Sequence, residues 1–369
     1  MGLRETDKTP AVNKTPAGRE TVLSVRELSV AFGFGRDARD SKPLQVTDRV
    51  SFDIGAGEFF ALVGESGCGK SVTAMGILRL LPSPSARITC GEVLFAGENL
   101  AKLPLAALQK IRGSQITCIF QEPMQALNPV LRIRDQLLEV YKFGAKTYLD
   151  SCAAREPHAA KDPRAFANDE IHRMLKMAGF TEPERVLDAY PHELSGGMLQ
   201  RICIVMALLP HPRLIIADEP TTALDVTVQA QVLAILKKMA GETGTAVLLI
   251  THNMGIVSEY AQRVAVMYAG RIIEMGGVRD VIDNPLHPYT RGLLAAIPES
   301  HADMKNLRSI PGSVPHPRDF AVGCRFADRC EECVCGDPSL QAKCRSAELP
   351  PCKTVASQSG ETHTACCFK

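Results

Sequence analysis

Excess charge, long apolar runs and an apolar leader are what this sequence has least of. Its 369 residues carry 42 Lys and Arg against 41 Asp and Glu, a formal net charge of +1. A nucleic-acid-binding surface usually shows as a basic excess, so no nucleic acid is expected as a partner. No apolar stretch reaches the ~18 residues that a membrane-spanning helix needs. The first twenty residues, MGLRETDKTPAVNKTPAGRE, contain no apolar core and do not make a secretory signal. Rich in Pro, Thr and charge, residues 1–20 read as a disordered arm. These absences place the chain in the cytoplasm, with any attachment to a membrane supplied by a partner. What is present is an ordinary apolar share of 45%, enough for a sizeable core, in a length that suits two domains or one with large insertions.

The most informative stretch is Gly64 to Ser71, GESGCGKS. It fits the phosphate-loop pattern of a glycine, four residues, Gly-Lys and a hydroxyl. The apolar run Phe59–Val63 precedes it, and Val72–Leu81 reads as a helix, so the context is strand, glycine loop, helix. Gly64, Gly67 and Gly69 let the backbone turn sharply and aim its N–H groups at phosphate oxygens, around Glu65, Ser66, Cys68 and Val72. The helix adds its positive end. Lys70 is placed to reach the β- and γ-phosphates of a nucleotide and Ser71 to hold Mg²⁺. The bland alternative is a glycine turn that binds nothing.

Flanking segments build an α/β domain around this loop. Thr21–Val30 and Val46–Ile54 read as antiparallel strands near the nucleotide. Phe32, just past the first, is either a base-stacking aromatic or a plain core residue. Pro82 and Pro84 are expected to stop the first helix. Cys90–Phe95 is a strand, and Ile116–Phe120 a short buried one ending in Gln121, whose amide is placed to meet a metal or its water. Residues 130–190 carry helical periodicity and no sheet signal, with Lys146–Asn168 as a surface excursion. The helical insertion thus spans about 122–193.

Leu194, Ser195, Gly196 and Gly197 then open a helix through Gln200 to about Leu209. Ser195 is a good N-cap, and two glycines at a helix start leave N–H groups open to a second anion; an ordinary capped turn is the alternative. Leu214–Ala217 is a buried strand carrying Asp218 and Glu219 at its end, where parallel sheets place ligands. Asp218 suits Mg²⁺, and Glu219 suits an attacking water. Thr222–Asp225 begins a helix to about Ala240. Ala246–Ile250 is the next buried strand, with His252 just beyond it, either a phosphate or carboxylate partner or a structural histidine. Val264–Tyr268 and Arg271–Glu274 read as a hairpin around Ala269-Gly270, and a boundary follows near 284. Of 13 cysteines, eight fall in the last 46 residues. In a reducing compartment such a cluster favours metal over disulfides.

Taken together, the loop, Gln121, the LSGG of 194–197, Asp218-Glu219, Asp225 and His252 resemble, in order, the motifs of the ATP-binding subunit of ABC transporters. GESGCGKS, FQEPMQALNP, YPHELSGGM, ADEPTTALDVTVQAQ and NPLHPYTRGLLAAIP (284–298) look like its oligopeptide/dipeptide/nickel importer branch. The resemblance implies a P-loop ABC ATPase domain at 21–283, with an antiparallel β subdomain and the helical insertion, followed by a small cysteine-rich C-terminal domain at 284–369. It implies ATP hydrolysis with Mg²⁺ held by Ser71, Gln121 and Asp218, Glu219 as catalytic base and His252 as γ-phosphate sensor. Leu194–Gly197 and Gln200 would act on the ATP of a second ATPase subunit, paralogue or self, with Asp225 in the loop between the two. Two membrane permease subunits would be driven at the cytoplasmic face of the inner membrane, with an extracytoplasmic solute-binding protein acting indirectly on peptides or related solutes. The alternative function is a soluble ABC ATPase of DNA repair or translation.

The same resemblance implies an iron-sulfur (4Fe–4S) cluster on Cys324, Cys330, Cys344 and Cys366. Cys335 is the alternative third ligand, zinc the alternative metal, and a metal-free cysteine tail the remaining reading. The sequence departs from the branch in the length of Lys146–Asn168, in Leu199 where a basic residue is common, and in Thr222 where serine is usual.

Overall fold

The computed structural model describes residues 19–34, 43–122, 126–144, 163–222, 224–296, 309–356 and 362–369. The expected N-terminal arm, apart from its last two residues, and most of the Lys146–Asn168 excursion lie outside the described residues, as does Ala223.

Two sheets organise the chain. Strands β1 (Thr21–Phe32), β2 (Leu44–Gly55), β4 (Ala86–Phe95) and β5 (Glu98–Asn99) form an antiparallel sheet in the order β2-β1-β4-β5. The main sheet contains β3 (Phe59–Val63), β6 (Ile116–Ile119), β7 (Leu214–Asp218), β8 (Ala246–Thr251), β9 (Arg263–Tyr268) and β10 (Arg271–Gly277). Its last strands are β11 (Cys352–Ala356) and β12 (Thr362–Cys366), and its order is β11-β12-β10-β9-β3-β8-β7-β6.

Strands β9, β3, β8, β7 and β6 run parallel. Every residue of β3 and β8 is buried. That is why these segments read as unbroken apolar runs rather than alternating ones. Each large aliphatic side chain there contributes about 1.5–3 kcal/mol by leaving water.

Helix α1 (Lys70–Ile77) follows β3, and α2 (Leu105–Ile111) precedes β6. The helical insertion supplies α3 (Ile133–Gly144), α4 (Pro163–Met177) and α5 (Pro183–Asp188). Helix α6 (Gly196–Leu208) leads into β7, α7 (Val226–Thr243) connects β7 to β8, and α8 (Met254–Tyr260) precedes β9. The core divides accordingly. One cluster joins α3 to α7 with one face of the main sheet, and a second joins the antiparallel sheet and α1 to the other.

Several boundaries differ from expectation, among them the start of β4 at Ala86 rather than Cys90 and of α7 at Val226 rather than within Thr222–Asp225. Helix α1 ends at Ile77, short of Leu81 and of the prolines. The Arg112 guanidinium donates to the carbonyl oxygens of Leu78 and Arg79 (Nε to Leu78 O 2.8 Å, Nη2 to Arg79 O 2.9 Å), so a distant cation satisfies the chain where the helix stops. Helix α4 starts at Pro163, inside the stretch expected as a surface excursion; proline is favoured in a first helical turn.

Beyond α9 (Val278–Asp283) and α10 (Pro288–Ala295), the C-terminal segment shares the core of the ATPase domain. Strand β12 pairs antiparallel with β10 (Glu274↔Ala365, Met275↔Thr364), so the β11–β12 hairpin extends the main sheet. Buried Glu274 accepts from the N–H groups of Leu286 (2.7 Å) and His287 (2.9 Å) and pairs with His363 Nε2 at 2.7 Å. One carboxylate on β10, before the expected boundary at 284, thus ties down two segments that lie beyond it. Short helices α11 (Glu331–Val334) and α12 (Pro338–Arg345) carry the cysteine-rich part.

Candidate nucleotide site

Ligands of parallel α/β sheets sit beyond the carboxyl ends of the strands. Here the ends of three adjacent strands carry the expected groups. The phosphate loop follows β3, His252 follows β8, and Asp218-Glu219 closes β7, with Val63 level with Thr251 and Asp218 level with Ile250. Neighbouring strands lie about 4.8 Å apart, so the loop, the histidine and the carboxylates meet at one edge.

The loop backbone needs its glycines at two points. Gly64 has φ +154°, and a Cβ there would sit 2.2 Å from the carbonyl oxygen of Met267 on β9. Gly69 has φ +109° and caps α1 without a side-chain partner for the helix N–H groups, which face the loop unsatisfied by any cap. Lys70 is buried and donates its ammonium protons to the carbonyl oxygens of Gly64 (2.8 Å) and Glu65 (3.0 Å), which curl the loop around the cation. Ser66 and Gly67 are exposed and Cys68 is buried.

Asp218 sits beside Ser71. Burial raises the Asp218 carboxyl above its usual range, against the lowering effect of the Ser71 hydroxyl. Its Oδ1 is buried with no hydrogen-bond partner. A buried carboxylate oxygen left over beside a hydroxyl is a donor set that suits Mg²⁺, a hard cation that takes oxygen ligands, so Ser71 and Asp218 fit the ion. Replacing Asp218 with asparagine is expected to lower Mg²⁺-dependent ATP turnover by ~10²-fold. The melting temperature of the metal-free protein should not fall, because the buried charge is gone. A matched pair of turnover assays and thermal melts checks this.

Glu219 adopts φ +47°, a left-handed conformation unusual for a side chain-bearing residue. Its N–H donates to Ile250 O at 2.9 Å, so the adjacent strand holds the turn. His252 Nδ1 lies 3.1 Å from Glu219 Oε1, and the Thr222 hydroxyl donates to Oε2 at 2.9 Å. Burial pushes the Glu219 carboxyl up. The bonds from His252 and Thr222 outweigh it, and the carboxyl ends below its usual range. It is therefore a carboxylate at neutral pH, the form a proton acceptor needs. Thr222, noted in the sequence only as a departure from serine, is one of the two groups that orient this carboxylate. The hydroxyl is what matters, and threonine keeps it.

Gln121 is exposed just beyond β6, at the same edge, since Ile119 pairs with Ala217. Phe32 ends β1, half-buried against the second core cluster. Ser195 caps α6, its hydroxyl accepting from Met198 N–H (3.4 Å), while Ser195 and Gly196 are exposed and Leu194 and Gly197 are half-buried. Gln200, one turn later, is buried with its Nε2 unpartnered. A Cβ on Gly197 would come within 2.8 Å of Val228, so this glycine lets α6 pack against the start of α7. Asp225 caps α7 by accepting from Val228 N–H at 2.9 Å. Leu199 and its neighbours pack in the helical core cluster, whereas Cys68 and α1 pack in the other. The two glycine-led helix starts, of α1 and of α6, therefore belong to different halves of the core.

The cysteine quartet expected to hold a metal does not assemble. Cys366 is bonded to Cys352, across from it in the β11–β12 hairpin, so its sulfur is not available as a ligand. The expectation that these cysteines avoid disulfides fails at the same pair, because antiparallel register places the two residues opposite each other. Cys324, Cys330 and Cys344 are buried, joined by Cys333, and Cys335 is exposed. Among the described residues no group of three or more His, Cys, Asp or Glu is arranged to hold a metal ion. Among the described residues an iron-sulfur cluster or zinc on these cysteines therefore has no support.

Known proteins resemble this chain along most of its length. The ABC transporter family matches residues 47–222, and the oligopeptide/dipeptide transporter C-terminal region matches residues 273–335. A probable peptide ABC transporter ATP-binding protein of Sinorhizobium fredii is 41% identical over 351 residues, covering 95% of each chain. The oligopeptide transport ATP-binding protein AppD of Bacillus subtilis is 43% identical, covering 87% of this chain and 93% of its own. The dipeptide transport ATP-binding protein DppD of the same organism is 42% identical, covering 95% of each. Among solved structures, a dimeric ATP-binding cassette in a post-hydrolysis state with ADP and phosphate has a TM-score of 0.57 and 26% identity, covering 70% of this chain and 99% of its own. Nothing in these likenesses supports a role in DNA repair or translation. The chain belongs to the ATP-binding subunits of ABC transporters, in the oligopeptide/dipeptide branch, and is an ATPase.

Proposed function

We propose that this chain powers import of peptides or related small solutes, working as a peripheral subunit at the cytoplasmic face of the inner membrane. Its partners are two permease subunits and a second ATPase, either a copy of itself or a paralogue. An extracytoplasmic binding protein delivers cargo without touching this chain. The peptide-transport names of the relatives support the cargo class.

The observation that carries the reading is an ATP site with one jaw. The phosphate loop, Asp218, Glu219 and His252 meet at one sheet edge, while the helix that starts at the exposed Ser195 and Gly196 packs in the other half of the core. A second subunit facing this one would supply the missing Ser-Gly-Gly end to each ATP, and the dimeric state of the cassette with ADP and phosphate supports that pairing. In this reading Gly64–Val72 cradle the phosphates and Phe32 lies against the base. Ser71, Gln121 and Asp218 hold Mg²⁺, which when bound neutralises charge on the β- and γ-phosphates. Glu219 accepts a proton from the attacking water, and His252 fixes that carboxylate and senses the γ-phosphate. Asp225 stands where the two subunits meet. No metal on the cysteines enters this reading, because Cys366 is already bonded.

Transmission to the permeases runs through the insertion. A cavity of about 600 Å³ lies between β6 and α3, lined by Leu80, Phe120, Leu131, Val140 and Phe143 among others. Phe120 is 52% and Phe143 68% exposed. Two phenylalanines left open beside an apolar groove suit a protein partner, and Phe120 adjoins Gln121 at the ATP edge. A permease segment seated here would feel the state of the nucleotide. The double variant Phe120→Asp, Phe143→Asp tests this when co-expressed with the permeases. Loss of co-purification with ATP affinity within about twofold of wild type is expected; undiminished co-purification rejects the groove.

A further inference from the structure

The phosphate loop is gripped from outside by the cysteine-rich segment. Arg329, immediately before Cys330, makes a two-pronged ion pair with Glu65 of the loop: Nη1 to Oε1 at 3.1 Å and Nη2 to Oε2 at 3.0 Å. Its remaining donors are also engaged, Nε to Pro311 O at 2.7 Å, Nη2 to Gly312 O at 3.2 Å and Nη1 to Tyr268 Oη at 3.3 Å. The guanidinium side chain is only 9% exposed. The Glu65 N–H donates to the hydroxyl of Tyr289, from α10, at 2.9 Å. Tyr268, Tyr289 and Phe326 pack ring against ring beneath this contact, with centroids 4.7–5.3 Å apart.

A second hold lies on the other side of the loop. Arg325, immediately after Cys324, donates to Ala269 O and pairs with Asp48 (Nη2 to Oδ2, 2.8 Å). The next residue in that turn, Gly270, donates its N–H to Cys68 O at 2.7 Å. Both arginines are thus held by a buried core that contains Cys324, Cys330, Cys333 and Cys344.

We propose that Arg329 is a positioning residue for the ATP site, so that nucleotide affinity depends on the C-terminal segment. The proposal rests on the phosphate-loop reading above. Its physical basis is charge. Glu65 lies within the loop that receives a polyanion, and an unpaired carboxylate there opposes the phosphates. Arg329 neutralises it and holds it outward, in a half-buried setting where screening by water is weak. Lys70 already uses the Glu65 carbonyl to shape the loop, so a Glu65 that moved would also disturb the lysine.

The test is equilibrium titration of the full chain with mant-ATP and Mg²⁺. Arg329→Gln is expected to weaken binding about tenfold in the wild-type background, and by no more than about threefold when introduced into Glu65→Gln. The double variant should therefore bind like the Glu65→Gln single variant, because the carboxylate that needed neutralising is gone. A merely structural arginine would not be rescued by Glu65→Gln. Arg329→Lys keeps the charge and serves if the glutamine variant does not fold. Lysine cannot reproduce the fork, so the readout is the coupling: any affinity lost in Arg329→Lys should be lost no further than about threefold when the change is made in Glu65→Gln, and an equal loss in both backgrounds overturns the proposal. The proposal is also overturned if Arg329→Gln binds like wild type, or if the double variant is no better than Arg329→Gln. Lys70→Ala separates the two levels. Lost binding in Lys70→Ala with full binding in Arg329→Gln sinks this proposal alone, whereas full binding in Lys70→Ala sinks the phosphate-loop reading with it.

Discussion

With Glu219 as the proposed proton acceptor, replacing it with glutamine is expected to lower ATP turnover by about 10²–10⁴-fold and to leave ATP affinity close to that of wild type. The amide has the same shape and reaches the same water, but it cannot accept the proton. The surroundings of Glu219 make this sharper than for a surface carboxylate. His252 and Thr222 each hold one of its oxygens, and together they keep it ionised despite partial burial. Its left-handed backbone, anchored to Ile250 on β8, holds it at one angle to the sheet edge. Strain of this kind persists where the surrounding structure fixes it, commonly at functional sites. Steady-state turnover and mant-ATP titration of the same preparation separate chemistry from binding. Equal turnover in the variant would mean that another group takes the proton.

Gly64→Ala is the second large effect, and it acts on the other side of the site. The alanine Cβ would meet Met267 O at 2.2 Å, and its backbone would occupy a φ of +154° that side chains rarely adopt. Neither β9 nor the loop can yield cheaply, since β9 is buried along its length and pairs with β3. We expect a stability loss of about 2–4 kcal/mol and ATP binding weakened by more than ~10²-fold. Thermal melting and nucleotide titration report the two losses. A variant that binds ATP normally would show that the loop can be cradled without this close approach.

How much of this was legible in the sequence follows from the range over which each feature is encoded. The phosphate loop, the Ser195 cap, the Asp225 cap and the strand carrying Asp218-Glu219 are each set by a handful of adjacent residues. Buried parallel strands write themselves as apolar runs, so β3, β7 and β8 could be placed at once. The features missed join segments far apart in the chain. Nothing near residue 65 or 329 signals their ion pair, since either residue alone reads as an ordinary surface charge. The end of α1 at Ile77 depends on Arg112, more than thirty residues later. The hairpin that adds β11 and β12 to the sheet sets Cys352 opposite Cys366, and register of that kind cannot be read from cysteine spacing. The cysteine quartet is what the family resemblance implies, and the pairing of β11 with β12 bonds Cys366 to Cys352 instead.

Thr222 is the intermediate case. It stands three residues from Glu219, close enough to be considered, but its role depends on the turn that brings its hydroxyl back to the carboxylate. A serine would serve the same purpose, which is the physical reason the change is mild.

The central claim is that ATP hydrolysis at the Glu219 site drives solute import. Its most direct test is uptake of labelled peptide into proteoliposomes. These would contain the assembled transporter and its binding protein, with ATP on the side of this chain, compared between wild type and Glu219→Gln. The account predicts uptake that requires ATP and Mg²⁺ in the wild type and falls to background in the variant. Uptake by the variant at the wild-type rate would contradict it.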